Sequence, residues 1–163
     1  MNGFTKTNQW KSGEEVASFL DNLLKSYGYS VAPTTAEEER VRCLGDRKIT
    51  KRERTLYVEY KSGIQTHYTG NVFIETISVD TANKSGWLYT CKADWLLYAC
   101  ILDGCVLCFR PDSLRDRLCA RMSDFRTTST SHDQNKGYRT HGILVPLREA
   151  ISIADRVIHL DLL

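Results

Sequence analysis

The fold turns on residues 45–61, GDRKITKRERTLYVEYK. Thr55–Lys61 is rich in β-branched and aromatic residues and alternates in polarity, as a half-buried strand does. Val41–Ile49 reads as an earlier strand, interrupted at Gly45, and Lys51–Arg54 as a charged turn between the two. Side chains alternate across a strand, so Glu59 and Lys61 share one face and Tyr60 takes the other. If the two strands pair as a hairpin, Asp46 can lie opposite Glu59. Two carboxylates and an ammonium then meet at one point. Mg²⁺ seeks such oxygen ligands and keeps several waters. Lys61 is placed to orient or deprotonate an attacking water, or to neutralise charge developing on a phosphate. Glu-x-Lys by itself is common, and the same residues also make an ordinary charged sheet face.

Working outward, residues 13–27 read as an amphipathic helix with Val16, Phe19, Leu20, Leu23, Leu24 and Tyr27 on its apolar face. Ser12 and Glu15 have capping-box spacing, and Gly28 is a natural stop. Asn71–Ser78 is another strand, and three strands in succession suggest an antiparallel meander. Cys91–Ile101 is expected as a helix and Val106–Phe109 as a strand. Pro111 opens a helix running to about Met122. Residues 123–140 are polar and read as a long mobile loop. A short strand (143–145), a short helix (147–154) and a last strand (157–160) follow. The order αβββαβαβαβ points to an α/β fold, a mixed central β-sheet flanked by helices, in one domain spanning 1–163.

The chain's 163 residues suit one core, with 42% hydrophobic and 26% charged residues, an ordinary globular balance. No apolar run approaches a membrane span, and residues 1–15 lack the apolar core of a secretory signal, so a cytoplasmic location without membrane partners is expected. In that compartment the six cysteines read as free, mostly buried thiols. Cys105-x-x-Cys108 has no second pair to complete a zinc set. The net charge of +2 is too small to imply nucleic acid. The distribution says more, because Arg40–Arg54 holds seven basic residues against Asp46 and Glu53. Lys51 and Arg52 are the candidate phosphate contacts there. In the polar 123–140 stretch, Arg126, Lys136 and Arg139 either close over DNA or belong to a plain connection.

The acid, the Glu-x-Lys strand and the N-terminal helix bearing glutamate together resemble the PD-(D/E)XK nuclease superfamily. The run YVEYKSG…YTGNVFIETIS…SGWLYTCKADWLLY is similar to a phage-type branch of it, through Thr69-Gly70-Asn71, Glu75, Ser85-Gly86 and Ala93-Asp94. Residues 13–110 carry the resemblance. Glycine, not proline, precedes Asp46, which leaves the register of the first acid open. The resemblance implies a restriction-endonuclease-like core and a Mg²⁺-dependent deoxyribonuclease, with Mn²⁺ able to substitute. It assigns Asp46 and Glu59 as metal ligands and Lys61 as the catalytic lysine. The helix carboxylate maps to Glu15 or Glu14; Glu15 is preferred because it borders the apolar face, although it also fits the capping box. Glu75 supports the site or pairs with a nearby cation. Trp87, beside Gly86, is the candidate for stacking on a base. Some members bind an iron–sulfur cluster through cysteines on both sides of the nuclease core, but only Cys43 precedes the core here. Related enzymes are often homodimers, and no interface signal stands out. The rivals to a DNA hydrolase are a non-catalytic DNA-binding module and a protein-interaction module, each with a nuclease-derived fold.

Overall fold

The computed structural model describes residues 12–130 and 137–161. Helix α1 (Gly13–Ser26) opens with the capping box expected of Ser12 and Glu15. Val16, Leu20 and Leu24, spaced by four, are its buried stripe. Then come β1 (Ser30–Pro33), a π-helical turn (Glu37–Val41), β2 (Arg47–Lys51) and β3 (Arg54–Ser62). They are followed by α2 (Ile64–Thr69), β4 (Asn71–Val79), β5 (Lys84–Ser85), α3 (Trp87–Thr90), β6 (Trp95–Cys100) and β7 (Cys105–Phe109). The remainder is α4 (Pro111–Cys119), β8 (Arg126–Thr130), β9 (Thr140–Pro146), α5 (Leu147–Ile153) and β10 (Arg156–His159).

The strands form two sheets. Six make a mixed sheet in the order β1-β2-β3-β6-β7-β10, and four make a second in the order β5-β4-β9-β8. In the six-stranded sheet β3 and β6 run parallel, and the other described pairs are antiparallel. The alternation of β3, β6 and β7 splits their side chains between two cores. One face packs Val58, Tyr60, Leu97, Ala99 and Val106 against α1. The other packs Leu96, Tyr98, Leu107 and Phe109 against Val72, Ile74, Ile143 and Val145 of the second sheet, with Leu114 and Leu118 of α4. No described helix is long and apolar enough to cross a membrane.

The α/β class, the mixed sheet and the β2–β3 hairpin are as expected, but several elements differ. The first hairpin strand begins at Arg47 rather than Val41, because positive φ at Cys43 (56°) and Gly45 (97°) breaks extended backbone. The meander is not formed: α2 carries the chain away from β3, and β4 joins the second sheet. Cys91–Ile101 is not a helix but contains β6, whose residues 96–100 are all buried. A strand covered on both faces is continuously apolar and loses the alternation that would identify it. Arg126–Thr130 is not loop but an edge strand on β9. The expected helix to Met122 stops at Cys119, and a short 3₁₀ turn follows.

Leu20 is fully buried between α1 and the sheet, at 0% exposure. Leu20→Ala is expected to lower unfolding free energy by about 2–5 kcal/mol, read from the midpoint of urea denaturation at unchanged slope.

Candidate active site

Gly45 sets the position of the first acid. At φ +97° its backbone passes so close to β3 that an added Cβ would lie 2.6 Å from the Val58 carbonyl oxygen. Proline, locked near φ −65°, cannot adopt this turn, which accounts for glycine before Asp46. The turn lets the Asp46 N–H donate to Val58 O at 2.9 Å. The Asp46 carboxylate then accepts from the Tyr60 N–H at 2.7 Å. Arg47 pairs with Val58, so Asp46 lies one step past the ladder end, where the register meets Glu59.

Glu59 and Lys61 project from the β3 face opposite Tyr60. Lys61 Nζ contacts Glu59 Oε1 at 2.5 Å and lies 5.7 Å from the centroid of the Trp87 ring. Burial pushes the Glu59 carboxyl above its usual range, the nearby Asp46 charge adds to this, and Lys61 opposes both. Burial alone would lower the Lys61 ammonium, but Glu59, Asp46 and Glu75 outweigh it and hold it above its ordinary value. Glu75 reaches this field from β4. Its carboxylate accepts from the Trp87 N–H at 3.2 Å. Gly86 permits that contact, since a Cβ there would sit 2.5 Å from the Glu75 carbonyl. Asp46 and Lys61 also line a cavity of about 150 Å³ that reaches Gly13 and Val16 of α1.

Glu59 and Lys61 are in direct contact, and the charges of Asp46 and Glu75 act on the pair. Among the described residues, no group of three or more His, Cys, Asp and Glu side chains is arranged to hold a metal. Mg²⁺ needs fewer protein ligands, commonly one or two carboxylates completed by water and substrate. Asp46 and Glu59 supply that number of carboxylates, and the Asp46 charge adds to the burial that raises the Glu59 carboxyl.

Other expected site residues are placed differently. Glu15 is at the start of α1, where its carboxylate accepts from the Ser12 N–H at 2.9 Å. Glu14 is exposed in the same turn. The α1 carboxylate that meets the β2–β3 pair is Asp21, which accepts from Arg47 Nε and from the Tyr60 hydroxyl, each at 2.9 Å. Its place one turn beyond Val16 and beside Leu20 was the available signal. Trp87 is buried in the core between the sheets, at 9% exposure, so its ring does not present a face to a base. Lys51 and Arg52 are exposed at the hairpin tip, five to six residues along from Asp46. Lys51 donates to Tyr27 O at 2.7 Å. Other charges in the basic stretch are also partnered: Arg47 with Asp21, and Lys48 with Glu38 at 2.8 Å. Lys48, with the Thr35 N–H and the Tyr57 hydroxyl, holds the Glu38 carboxyl down to about 2. Arg139 is exposed at the start of β9, and its N–H donates to Asp80 at 2.9 Å. Lys136 lies outside the described residues.

The remaining motif residues build turns. Gly70 ends α2 at φ +71°, and the Asn71 side chain donates to Thr69 O at 2.7 Å. Asp94 accepts from the Tyr57 N–H at 2.7 Å and so ties the start of β6 to β3. The six cysteines are free thiols, and Cys105 and Cys108 belong to opposite faces of β7. The chain matches no protein-family model, no curated protein and no solved structure.

The causes of the Glu59 shift can be separated by carboxyl ¹³C NMR titration. Asp46→Asn should move the Glu59 midpoint down by removing a repelling charge, and Lys61→Ala should move it up. Movement in the same direction in both variants would mean that the charges do not set it. Gly45→Ala, which forces an L side chain into left-handed backbone against Val58, should cost about 1–3 kcal/mol in thermal unfolding. It should also break the Asp46–Tyr60 hydrogen bond, visible as faster exchange of the Tyr60 amide.

Proposed function

We propose that this chain is a metal-dependent deoxyribonuclease that hydrolyses the phosphodiester bonds of DNA, with a restriction-endonuclease-like core and Asp46, Glu59 and Lys61 as its site. The observation that carries this reading is the convergence of the two carboxylates on Lys61, with the Glu59 carboxyl raised by burial and by Asp46. The resemblance of residues 13–110 to PD-(D/E)XK nucleases, through the same acids and lysine together with Thr69-Gly70-Asn71 and Ala93-Asp94, supports it.

Asp46 and Glu59 would hold Mg²⁺, or Mn²⁺ in its place. When bound, the ion supplies Lewis-acid polarisation of the phosphate and a water acidified toward neutral pH. Asp46 is suited to hold its position because its carboxylate is anchored on the Tyr60 N–H. Lys61 stays protonated at neutral pH, since its ammonium is held above the ordinary value, and it therefore serves as a donor and counter-charge rather than as the base. Its raised value also places loss of the ammonium above the usual lysine range. Glu75 acts on Lys61 through charge and braces α3 through the Trp87 N–H. Hairpin cations Lys51 and Arg52 and Arg139, just before β9, are proposed phosphate contacts at a distance from the reacting centre.

Plasmid cleavage should require Mg²⁺ or Mn²⁺ and cease in EDTA. Lys61→Ala should keep near-normal DNA affinity but lose roughly a hundred- to a thousand-fold in single-turnover rate, the loss typical of one preorganised donor. Cleavage within a few-fold of wild type would remove Lys61 from the mechanism. Asp46→Asn and Glu59→Gln should each weaken Mn²⁺ binding by calorimetry. DNA binding without cleavage under every metal condition would favour the non-catalytic module.

A further inference from the structure

Among the described residues, the face of the six-stranded sheet that carries α1 is only partly covered. Beside the last turn of α1, at Leu24 and Tyr27, a groove of about 590 Å³ lies open over β2, β3, β6, β7 and β10. Its floor is apolar, with Leu56, Leu97 and Ile158 among its residues. Its rim is cationic: Lys51, Arg54, Arg110 and Arg156 line it, and no Asp or Glu does. None of the three guanidiniums pairs with a carboxylate among the described residues. Among the described residues, Arg110 and Arg156 lie over the Trp95 ring, at 5.5 and 5.9 Å from its centroid.

We propose that this groove docks an acidic amphipathic helix of a partner protein. The layer that α1 begins has room for a second helix beside it, and an apolar stripe set on aliphatic sheet residues is the ordinary way to complete such a layer. Charge complementarity selects the partner. Three unpaired arginines around an apolar floor match a helix with leucine-like residues on one face and glutamate or aspartate on its flanks. Trp95 with its two arginines is the kind of anchor on which interface energy concentrates.

Other occupants fit less well. Residues 1–11 contain Lys6 and Lys11 and no carboxylate, so they do not complement the rim. Nucleic acid is attracted by arginine, but two guanidiniums already lie over the ring on which a base would stack. The groove lies on the opposite sheet face from Glu59 and Lys61 and shares only Lys51 with the proposed phosphate contacts. The inference therefore does not rest on the nuclease reading.

The test is an amide NMR titration of the full chain with a synthetic helix of about four turns, carrying a leucine stripe and glutamate flanks. A second peptide with lysine flanks, a thymidine oligonucleotide and a protein dilution series are the controls. The glutamate peptide should shift the amides of Leu56, Trp95, Leu97 and Ile158 and bind at least roughly tenfold tighter than the lysine peptide. Arg110→Glu with Arg156→Glu should reverse that preference. If this charge reversal prevents folding, Arg110→Gln with Arg156→Gln should abolish the preference instead. Equal binding of the two peptides overturns the proposal. So does failure of both peptides to bind, the same shifts from the oligonucleotide with the glutamate peptide silent, or shifts that follow protein concentration alone and mark self-association.

Discussion

The structure depends on how Asp46 is fastened to β3. Its N–H donates to the Val58 carbonyl and its carboxylate accepts from the Tyr60 N–H, so one residue grips the strand on either side of Glu59. That grip extends the β2–β3 register past the end of the ladder. A slip of one residue would exchange the faces of every β3 side chain, sending Glu59 and Lys61 toward α1 and Val58 and Tyr60 toward the second sheet. The same register brings Tyr60 to Asp21, joining α1 to the hairpin, and seats β3 parallel to β6 at the centre of the sheet.

The site joins stability and chemistry with opposite signs. A carboxyl raised by burial favours folding most when protonated, below its unfolded value, and that advantage is lost as pH rises through the folded one. Glu59 is therefore a liability to the fold near neutrality, lessened by Lys61 at 2.5 Å. The Lys61 ammonium is also raised, so its favourable share persists below the unfolded lysine value and disappears only in strong base. Asp21 and Arg47 support the arrangement from the opposite sheet face.

Elements with a clear period were legible in the sequence. α1 declared itself through Val16, Leu20, Leu24 and the Ser12–Glu15 box, and β3 and β4 through alternation. The Asp46–Glu59–Lys61 grouping followed from strand parity plus one assumed hairpin. What escaped was decided by tertiary context. β6 is apolar on both faces because each meets a different core, so its run read as helix. β8 is an edge strand of threonine and serine whose polarity resembled a loop. Trp87 beside Gly86 looked like a loop aromatic, yet Gly86 lies flush against Glu75 and turns the indole inward. Asp21 borders the apolar stripe beside Leu20, but which strand residues it meets, Arg47 and Tyr60, is decided only by tertiary packing.

The division into two sheets has a kinetic consequence. Asp46, Glu59 and Lys61 lie on or beside a hairpin whose strands are neighbours in the chain, so their contacts close early and cheaply. Glu75 depends on β4, whose partner is β9, with Asn71 set against Pro146. During synthesis the first half of the site can assemble while β9 is still inside the ribosome, but the strand bearing Glu75 must wait for nearly the whole chain. Until then Val72 and Ile74, whose partners are Val145 and Ile143, have no sheet partner.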